Sequence, residues 1–155
     1  MKQFENRAPA LPSISLCMIV RDEEHLLGDC LHFAAQVADE MLIVDTGSMD
    51  QTVAIAERAG AKVVTYEWDD DFSAARNFAL SKATGEFVLI LDADERFGPG
   101  ALEHLRRVVV EDTQRDKPAV YLPVIEHVDG EGVLIGTEHQ TRIWRRSLAL
   151  QYEGR

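Results

Sequence analysis

The sequence contains few cysteines and no long apolar run. Cys17 and Cys30 lie in apolar segments and form no C-x-x-C pair, so we expect buried, reduced thiols and no disulfide framework. No stretch approaches the roughly 20 apolar residues of a membrane-spanning helix. Residues 1–13 form a polar leader that lacks the apolar core of a secretion signal. We therefore expect a cytoplasmic protein, at most peripheral to the inner membrane, with no integral membrane segment.

Positive charge is also scarce. Among 155 residues there are 27 Asp and Glu against 16 Lys and Arg, and the formal net charge is −11. Such a charge repels polyanions, so we expect no nucleic acid partner. The length is sufficient for one domain with a core and too short for two. The composition therefore favours a single domain whose ligand is small and is either cationic or neutralised by a metal ion.

Short apolar runs alternate with amphipathic segments in the first part of the chain. The apolar runs predict strands at residues 14–20, 41–45, 61–66 and 85–92. The segments between them predict helices near residues 26–34, 51–60 and 73–83. This alternation predicts an α/β fold with a mostly parallel sheet and right-handed crossovers.

The pattern changes after residue 97. An amphipathic helix is predicted from about residue 101 to 112, with Pro99 at a position suited to its first turn. Apolar runs separated by short turns follow at residues 119–128, 133–136 and 139–147. Such runs predict an antiparallel hairpin region. We therefore divide the chain into a nucleotide-binding half, residues 14–97, and a more antiparallel half, residues 98–155.

Acidic residues follow three of the predicted strands. These segments are RDE at 21–23, DTGS at 45–48 and DAD at 92–94. Ligands of open parallel sheets bind beyond the carboxyl ends of the strands, so we expect the three segments to converge. Asp92 and Asp94 together suit Mg²⁺ or Mn²⁺, because these ions take carboxylate ligands and substrate phosphates. A solvated acidic turn is the alternative, because D-x-D alone is a weak motif.

Asp45 has two possible roles. It ends an apolar strand and precedes TGSMD, where Gly47 permits a tight turn and Ser48 or Asp50 can cap the next helix. A structural role in this turn is the first possibility. The second is a contact in which the Asp45 carboxylate accepts a hydrogen bond from an N–H group of a nucleotide base.

Five motifs follow one another along the chain: CMIVRDEE, LIVDTGSMDQT, AKVV, WDDDFSAARNFAL and LILDADE. In this order and at these intervals, they resemble the family 2 glycosyltransferases, inverting enzymes of the GT-A fold. The resemblance is greatest to the bacterial branch that includes lipopolysaccharide core-type and peptide or protein sugar transferases. It is strong from Ile14 to Leu105 and weak beyond. It implies a three-layer α/β/α sandwich forming a single domain over residues 14–155, with a role in cell-envelope polysaccharide synthesis.

The resemblance also implies a donor site at matching positions. The base-contacting acid falls on Asp45, and the D-x-D motif falls on Asp92, facing the ribose or metal, and Asp94, facing the metal and diphosphate. The A-R-N motif falls on Arg76 and Asn77, and a guanidinium near the diphosphate would pair with phosphate oxygens. A solvated position on the helix is the alternative for Arg76. Further nucleotide contacts fall on Ile19, Val20 and Glu23.

The histidines lack the spacing of metal ligands. We therefore expect ordinary exposed or hydrogen-bonded roles for His25, His32, His104, His127 and His139. The acidic run at residues 69–71 is more typical of a solvated surface than of a site. Metal binding is thus predicted at Asp92 and Asp94 alone.

The implied reaction is transfer of a sugar from a nucleoside diphosphate sugar, a UDP-sugar first of all, with inversion. The acceptor would be a saccharide, a lipid-linked saccharide or a peptide. In similar enzymes, a W-R-R…Y-x-G-R segment is followed by His-Glu, whose acid is a leading candidate for the general base. TRIWRRSLALQYEGR aligns with this segment and ends at Arg155. We therefore expect the general base beyond Arg155 and an incomplete acceptor-side half.

Two other functions compete with sugar transfer. A nucleotidyltransferase normally has a Gly-rich phosphate loop with basic residues, and RDEEHLLG lacks that form. A non-catalytic sugar-nucleotide-binding module, or a shortened copy without the general base, is compatible with the short chain. Turnover of a labelled sugar nucleotide would separate an enzyme from a binding module.

Overall fold

The computed structural model describes residues 11–98, 100–116 and 118–154. The first part of the chain contains β1 Ile14–Val20, α1 Leu27–Ala34, β2 Glu40–Asp45, α2 Thr52–Arg58, β3 Lys62–Thr65, α3 Phe72–Lys82 and β4 Phe87–Ile90. The second part contains β5 Glu95–Phe97, α4 Ala101–Thr113, β6 Val120–Tyr121, β7 Val124–Val128, β8 Leu134–His139, β9 Ile143–Arg145 and a 3₁₀ turn Arg146–Leu148. The predicted α/β alternation is confirmed, and Pro99 lies outside the described residues.

The strands of the described residues form two sheets. The main sheet has the order β3-β2-β1-β4-β9-β6. Strands β1 to β4 are parallel, whereas β9 is antiparallel to both β4 and β6. The small sheet is antiparallel, with the order β5-β7-β8. The mostly parallel sheet with an antiparallel hairpin region is therefore confirmed, and β9 brings the end of the chain back into the main sheet.

Helices cover both faces of the main sheet. Alternate side chains of β1 point to opposite faces, so Leu16 packs in a cluster with α1 and α4, and Cys17 packs in a cluster with α3. Strands β1 and β4 are buried along nearly their whole length, which explains why both are continuous apolar runs. This arrangement gives three layers and leaves the carboxyl ends of β1, β2 and β4 at one edge. Within the described ranges, every helix is too short or too polar to cross a bilayer.

Both cysteines are buried free thiols, as the sequence predicts. Burial raises the pKa of Cys17 to about 12, and the Glu40 carboxylate raises it further. Burial likewise raises the pKa of Cys30 to about 12. Since the thiolate is the reactive form, we expect neither thiol to react with a disulfide reagent in the folded protein near neutral pH, and both to react in denaturant. Rapid labelling of the folded protein, followed by absorbance, would contradict this expectation.

Candidate active site

Two loops at the carboxyl edge of the main sheet hold each other in place. The N–H of Asp22 donates to Ser48 Oγ at 2.9 Å, and the N–H of Met49 donates to Asp22 Oδ1 at 2.7 Å. The N–H of Glu23 donates to Thr52 Oγ1 at 2.7 Å. Asp22 has a φ of 54°, which is uncommon for a residue other than glycine. The loop after β1 is therefore fixed by the loop before α2, which gives Glu23 a defined position.

A cavity of about 550 Å³ lies beyond the ends of β1 and β4, beside α3. The predicted residues that line it are Ile19, Glu23, Arg76, Asp92 and Asp94. Lining residues without a predicted ligand contact include Thr46, Trp68 and Phe72. The structure thus brings together acids from the ends of β1 and β4, as expected for strand ends of one sheet. The binding role of each residue stays a prediction.

Asp92 lies between two guanidinium groups. Both of its carboxylate oxygens accept hydrogen bonds from Arg76 Nη2, at 3.0 and 3.2 Å. Arg142 Nη2 lies 3.9 Å from Asp92 Oδ2. The Tyr152 ring covers the Arg76 guanidinium, with 5.2 Å between the guanidinium carbon and the ring centroid. The Arg76 side chain is 26% exposed, so it is an ordered part of the cavity wall and not a solvated helix residue.

A buried ion pair supports the D-x-D segment. The Arg142 guanidinium contacts Glu95 Oε1, and these side chains are 5% and 1% exposed. Glu95 Oε2 accepts a hydrogen bond from the N–H of Asp92 at 2.9 Å. Burial raises the pKa of Glu95, whereas the Asp92 N–H and the Arg142 charge lower it. The pair fixes the backbone at Asp92, and it was not predicted because its members lie 47 residues apart with no local motif at Arg142.

Three carboxylates face the same part of the cavity. Burial raises the pKa of Glu23, and the charges of Asp94 and Asp92 raise it further. In the part of the chain that the structure describes, no hydrogen-bond donor reaches the Asp94 carboxylate, which is 46% exposed. Free carboxylate oxygens beside a second acid are the donor set that Mg²⁺ and Mn²⁺ take. The residues present therefore fit a divalent cation at Asp94.

Val20 does not line the cavity. It is the last residue of β1, and its side chain packs in the core with an exposure of 4%. Its carbonyl oxygen accepts hydrogen bonds from the N–H and Oγ1 of Thr46, at 3.0 and 3.1 Å. The neighbouring residue Ile19 points to the other face of the strand and lines the cavity. The Ile19 side chain therefore faces the cavity and the Val20 side chain faces the core, and the nucleotide contacts of both residues stay predictions.

Asn77 ties the segment after β9 to α3. Its Nδ2 donates to the Tyr152 carbonyl at 2.9 Å, and the Tyr152 N–H donates to Asn77 Oδ1 at 2.9 Å. These two bonds hold Tyr152 over Arg76. The second and third residues of A-R-N therefore act on one neighbour: Arg76 lies under the Tyr152 ring and Asn77 holds the Tyr152 backbone.

A comparison with protein-family profiles identifies the family of this chain. Residues 15–153 match the profile described as Glycosyl transferase family 2. The chain belongs to glycosyltransferase family 2. The match spans the strand ends and cavity residues described above, so the family assignment covers both the mostly parallel sheet and the small antiparallel sheet.

Relatives and solved structures agree with this assignment. A TPR repeat-containing protein of Synechococcus elongatus is 39% identical over 144 residues, which are 93% of this chain and 34% of the relative. The mannosyltransferase PcManGT of Pyrobaculum calidifontis, solved with GDP-Man and Mn²⁺, matches 63% of this chain and 31% of its own, with 25% identity and a TM-score of 0.55. TarS of S. aureus matches 88% of this chain and 48% of its own, with 23% identity and a TM-score of 0.61. These likenesses confirm the GT-A fold, and this glycosyltransferase chain spans about a third of the Synechococcus relative.

The Asp45 carboxylate closes the turn after β2 of this glycosyltransferase. It accepts hydrogen bonds from the N–H groups of Gly47 at 3.1 Å and Ser48 at 3.2 Å, and Asp45 is 5% exposed. Asp50 fixes the first turn of α2, where its carboxylate accepts from the N–H of Thr52 at 2.8 Å. The observed bonds are those of the structural role in the turn, and the contact with a nucleotide base stays a prediction.

Replacing Asp45 by alanine separates its two roles. The N–H groups of exposed Gly47 and half-buried Ser48 lose their charged acceptor, and each lost hydrogen bond costs about 1–3 kcal/mol, so we expect a lower Tm. Thermal unfolding and nucleotide affinity should be measured on the same variant, with Asp69→Ala as an exposed control of the same chemistry. A normal Tm combined with weaker nucleotide binding would instead assign Asp45 to the base contact.

Proposed function

We propose that this glycosyltransferase domain binds a nucleoside diphosphate sugar in the cavity beyond β1 and β4 and takes part in inverting transfer of the sugar. The observation that carries the proposal is the convergence of Glu23, Arg76 and the D-x-D acids in that one cavity. A solved complex of PcManGT with GDP-Man and Mn²⁺ supports a nucleotide sugar and a divalent cation as ligands. The proposed donor is a UDP-sugar, and the proposed acceptor is a saccharide, a lipid-linked saccharide or a peptide.

We propose a role for each acid of the cavity from its charge and its contacts. A diphosphate entering beside three carboxylates meets repulsion, so its binding depends on Mg²⁺ or Mn²⁺. Asp94 is the main proposed ligand because its oxygens are free, and Glu23 lies close enough for its pKa to respond to Asp94. Asp92 is held by Arg76 on both oxygens, so we assign it to the ribose or to a weaker metal contact. When bound, the cation offsets the negative charge that develops on the leaving diphosphate.

Arg76 and the aromatic wall complete the proposed donor contacts. The Arg76 guanidinium is held by the Asp92 carboxylate and by the Tyr152 ring. It can therefore pair with phosphate oxygens at little further cost in side-chain entropy. Trp68 and Phe72 pack edge to face, with ring centroids 4.7 Å apart. Together with Ile19 they form an apolar wall suited to the nucleoside.

Inversion needs a base on the face of the sugar opposite the diphosphate. A carboxylate there takes the proton of the acceptor hydroxyl as that oxygen attacks the anomeric carbon. Loss of such a base lowers the rate about 10²- to 10⁴-fold without abolishing donor binding, so donor binding is the primary test for these 155 residues.

A thermal-shift panel tests the proposed function. The protein is heated with UDP, GDP and their sugars, in Mn²⁺ and in chelator, because a ligand that binds only the folded state raises its stability, by about 2.7 kcal/mol at 100 times Kd. We expect a higher Tm only with a nucleoside diphosphate and a cation together. Equal shifts in Mn²⁺ and in chelator would contradict the cation-dependent site. Release of labelled sugar to acceptor or water then separates an enzyme from a non-catalytic module.

A further inference from the structure

The Arg76 guanidinium reaches Asp92 with a single nitrogen. Arg76 Nη2 donates to both carboxylate oxygens of Asp92, at 3.0 and 3.2 Å. An unrestrained guanidinium prefers a pair of parallel bonds from two nitrogens, one to each oxygen. Arg76 Nε is buried and has no hydrogen-bond partner among the residues that the structure describes. The observed pair is therefore not the one that these two side chains would form alone, and it leaves an arginine donor for another acceptor.

The Tyr152 ring accounts for this restraint. The guanidinium carbon of Arg76 lies 5.2 Å from the ring centroid, within the range of a cation–π contact. Burial raises the pKa of the Tyr152 hydroxyl, whereas the charges of Arg76 and Arg142 lower it. Because the pKa stays above its ordinary value, the phenol is neutral near neutral pH. Tyr152 therefore meets Arg76 as an aromatic face and not as a second anion.

Asn77 determines where the ring lies. Its Nδ2 donates to the Tyr152 carbonyl and its Oδ1 accepts from the Tyr152 N–H, both at 2.9 Å, although the two residues are 75 positions apart. Both halves of the amide are used on one residue, so the backbone of Tyr152 is held in position and in orientation. Since Asn77 follows Arg76 in α3, one turn of one helix carries the guanidinium and also fixes the ring that covers it.

We infer that Tyr152, held by Asn77, is a positioning residue of the donor site: it keeps Arg76 from closing a two-nitrogen pair with Asp92 and so keeps guanidinium donors for a diphosphate oxygen. The inference rests on the proposed function in that the diphosphate is the anion that Arg76 receives. Arg76 and Asp92 line the donor cavity and Tyr152 does not, so Tyr152 acts through Arg76 and not by contact with the donor.

The role assigned to Tyr152 concerns phosphate alone. A guanidinium that is fully paired with Asp92 has fewer donors for a phosphate oxygen. The apolar wall of Ile19, Trp68 and Phe72 does not depend on that pair. Loss of the Tyr152 ring should therefore weaken binding of a nucleoside diphosphate and spare binding of the nucleoside, whereas a residue that only supported the fold would affect both ligands equally.

UDP and uridine, titrated in Mn²⁺ by calorimetry and by NMR, test the inference. Tyr152→Ala should weaken UDP binding about 10-fold and uridine binding less than about 2-fold, because one charge-assisted hydrogen bond to phosphate is lost. Tyr152→Phe keeps the ring and should restore UDP binding. Asn77→Ala should reproduce most of the loss, and the double variant should lose no more than Tyr152→Ala, since both changes remove one contact. Phe33→Ala, which removes an exposed ring from α1, is the matched control and should leave both affinities unchanged.

Arg76→Ala separates the possible failures. If this variant binds UDP as the unsubstituted protein does, Arg76 does not receive the diphosphate, and the inference falls with that part of the proposed function. If Arg76→Ala weakens UDP binding but Tyr152→Ala behaves like Phe33→Ala, only the inference is overturned. Equal losses of UDP and uridine affinity in Tyr152→Ala would also overturn it, because they would assign Tyr152 to the support of the whole cavity.

The proton NMR signal of the Arg76 Nε–H gives a readout that needs no ligand. An aromatic face displaces the signal of a group that it covers, so this signal should be shifted in the unsubstituted protein and in Tyr152→Phe. It should return to the ordinary arginine position in Asn77→Ala, in which Tyr152 is present but no longer held. An undisplaced signal in the unsubstituted protein would overturn the inference even if Tyr152→Ala failed to fold.

Discussion

Replacing Arg142 by methionine should lower the free energy of unfolding by about 3–5 kcal/mol, because it leaves Glu95 as a buried acid without its counter-charge. The loss should depend on pH. Burial raises the pKa of Glu95 in the folded state, and removal of Arg142 raises it further. An acid with a raised pKa costs stability as pH rises from its unfolded pKa to its folded pKa. The destabilisation should therefore be smaller in mild acid than at neutral pH.

Urea unfolding at both pH values checks this prediction. Arg106→Met is the matched control, because Arg106 pairs with Asp39 at the surface, at 3.3 Å with side chains 28% and 49% exposed. An exposed pair of this kind contributes about 0–1 kcal/mol. The double change Glu95→Gln with Arg142→Met should recover part of the stability because no unpaired charge is left buried. Equal losses for Arg142→Met and Arg106→Met would show that the buried pair does not support the site.

Replacing Asp94 by asparagine should remove the gain in donor affinity that Mn²⁺ provides and lower any sugar transfer by about 10²- to 10³-fold. The amide keeps the shape of the side chain but loses the charge that attracts the cation, and charge stabilisation of the leaving group is worth several kcal/mol. The fold should be unaffected because Asp94 is half exposed and holds no buried partner.

Isothermal titration with UDP in Mn²⁺ and in chelator measures this effect. Asp29→Asn makes the same change of charge on the exposed face of α1 and should bind as the unchanged protein does. Asp92→Asn should also weaken binding, but with a lower Tm as well, because Arg76 loses its ionic partner. An Asp94→Asn protein that keeps its full Mn²⁺ dependence would place the cation elsewhere.

The convergence of the acids could be predicted from the sequence because it follows from strand order alone. Parallel strands that each end in an acid bring those acids to one edge, whatever the side-chain packing. A site role for Arg76 could be predicted only from the A-R-N motif, because a single arginine on a helix has no distinguishing sequence pattern. The alternation of side chains along β1 points Ile19 to the cavity and Val20 to the core, and the nucleotide contacts predicted for both residues stay predictions.

The residues that contact the cavity acids but were not predicted reach them through pairing of strands that are distant in the sequence. Strands β5 and β9 have three residues each, too few for a periodic pattern to identify them. Their positions are set by pairing with β7 and with β4, and the pairing of β9 with β4 brings Arg142 to Glu95. Local sequence therefore fixes where the acids are, whereas tertiary pairing decides which cationic and ring groups meet them.

The late position of β9 in the sequence also affects folding during synthesis, because β9 covers the edge of β4 in the main sheet. Glu95 leaves the ribosome 47 residues before Arg142, which is roughly 2 to 9 s at a rate of about 5–20 residues per second. During that interval the nascent chain has its four parallel strands but no β9, so β4 presents an open edge to other polypeptides. A translation pause or a cut before residue 142 would keep the edge of β4 unpaired and prone to association. Chaperone binding to stalled chains should therefore fall sharply once Ile143 to Arg145 have emerged.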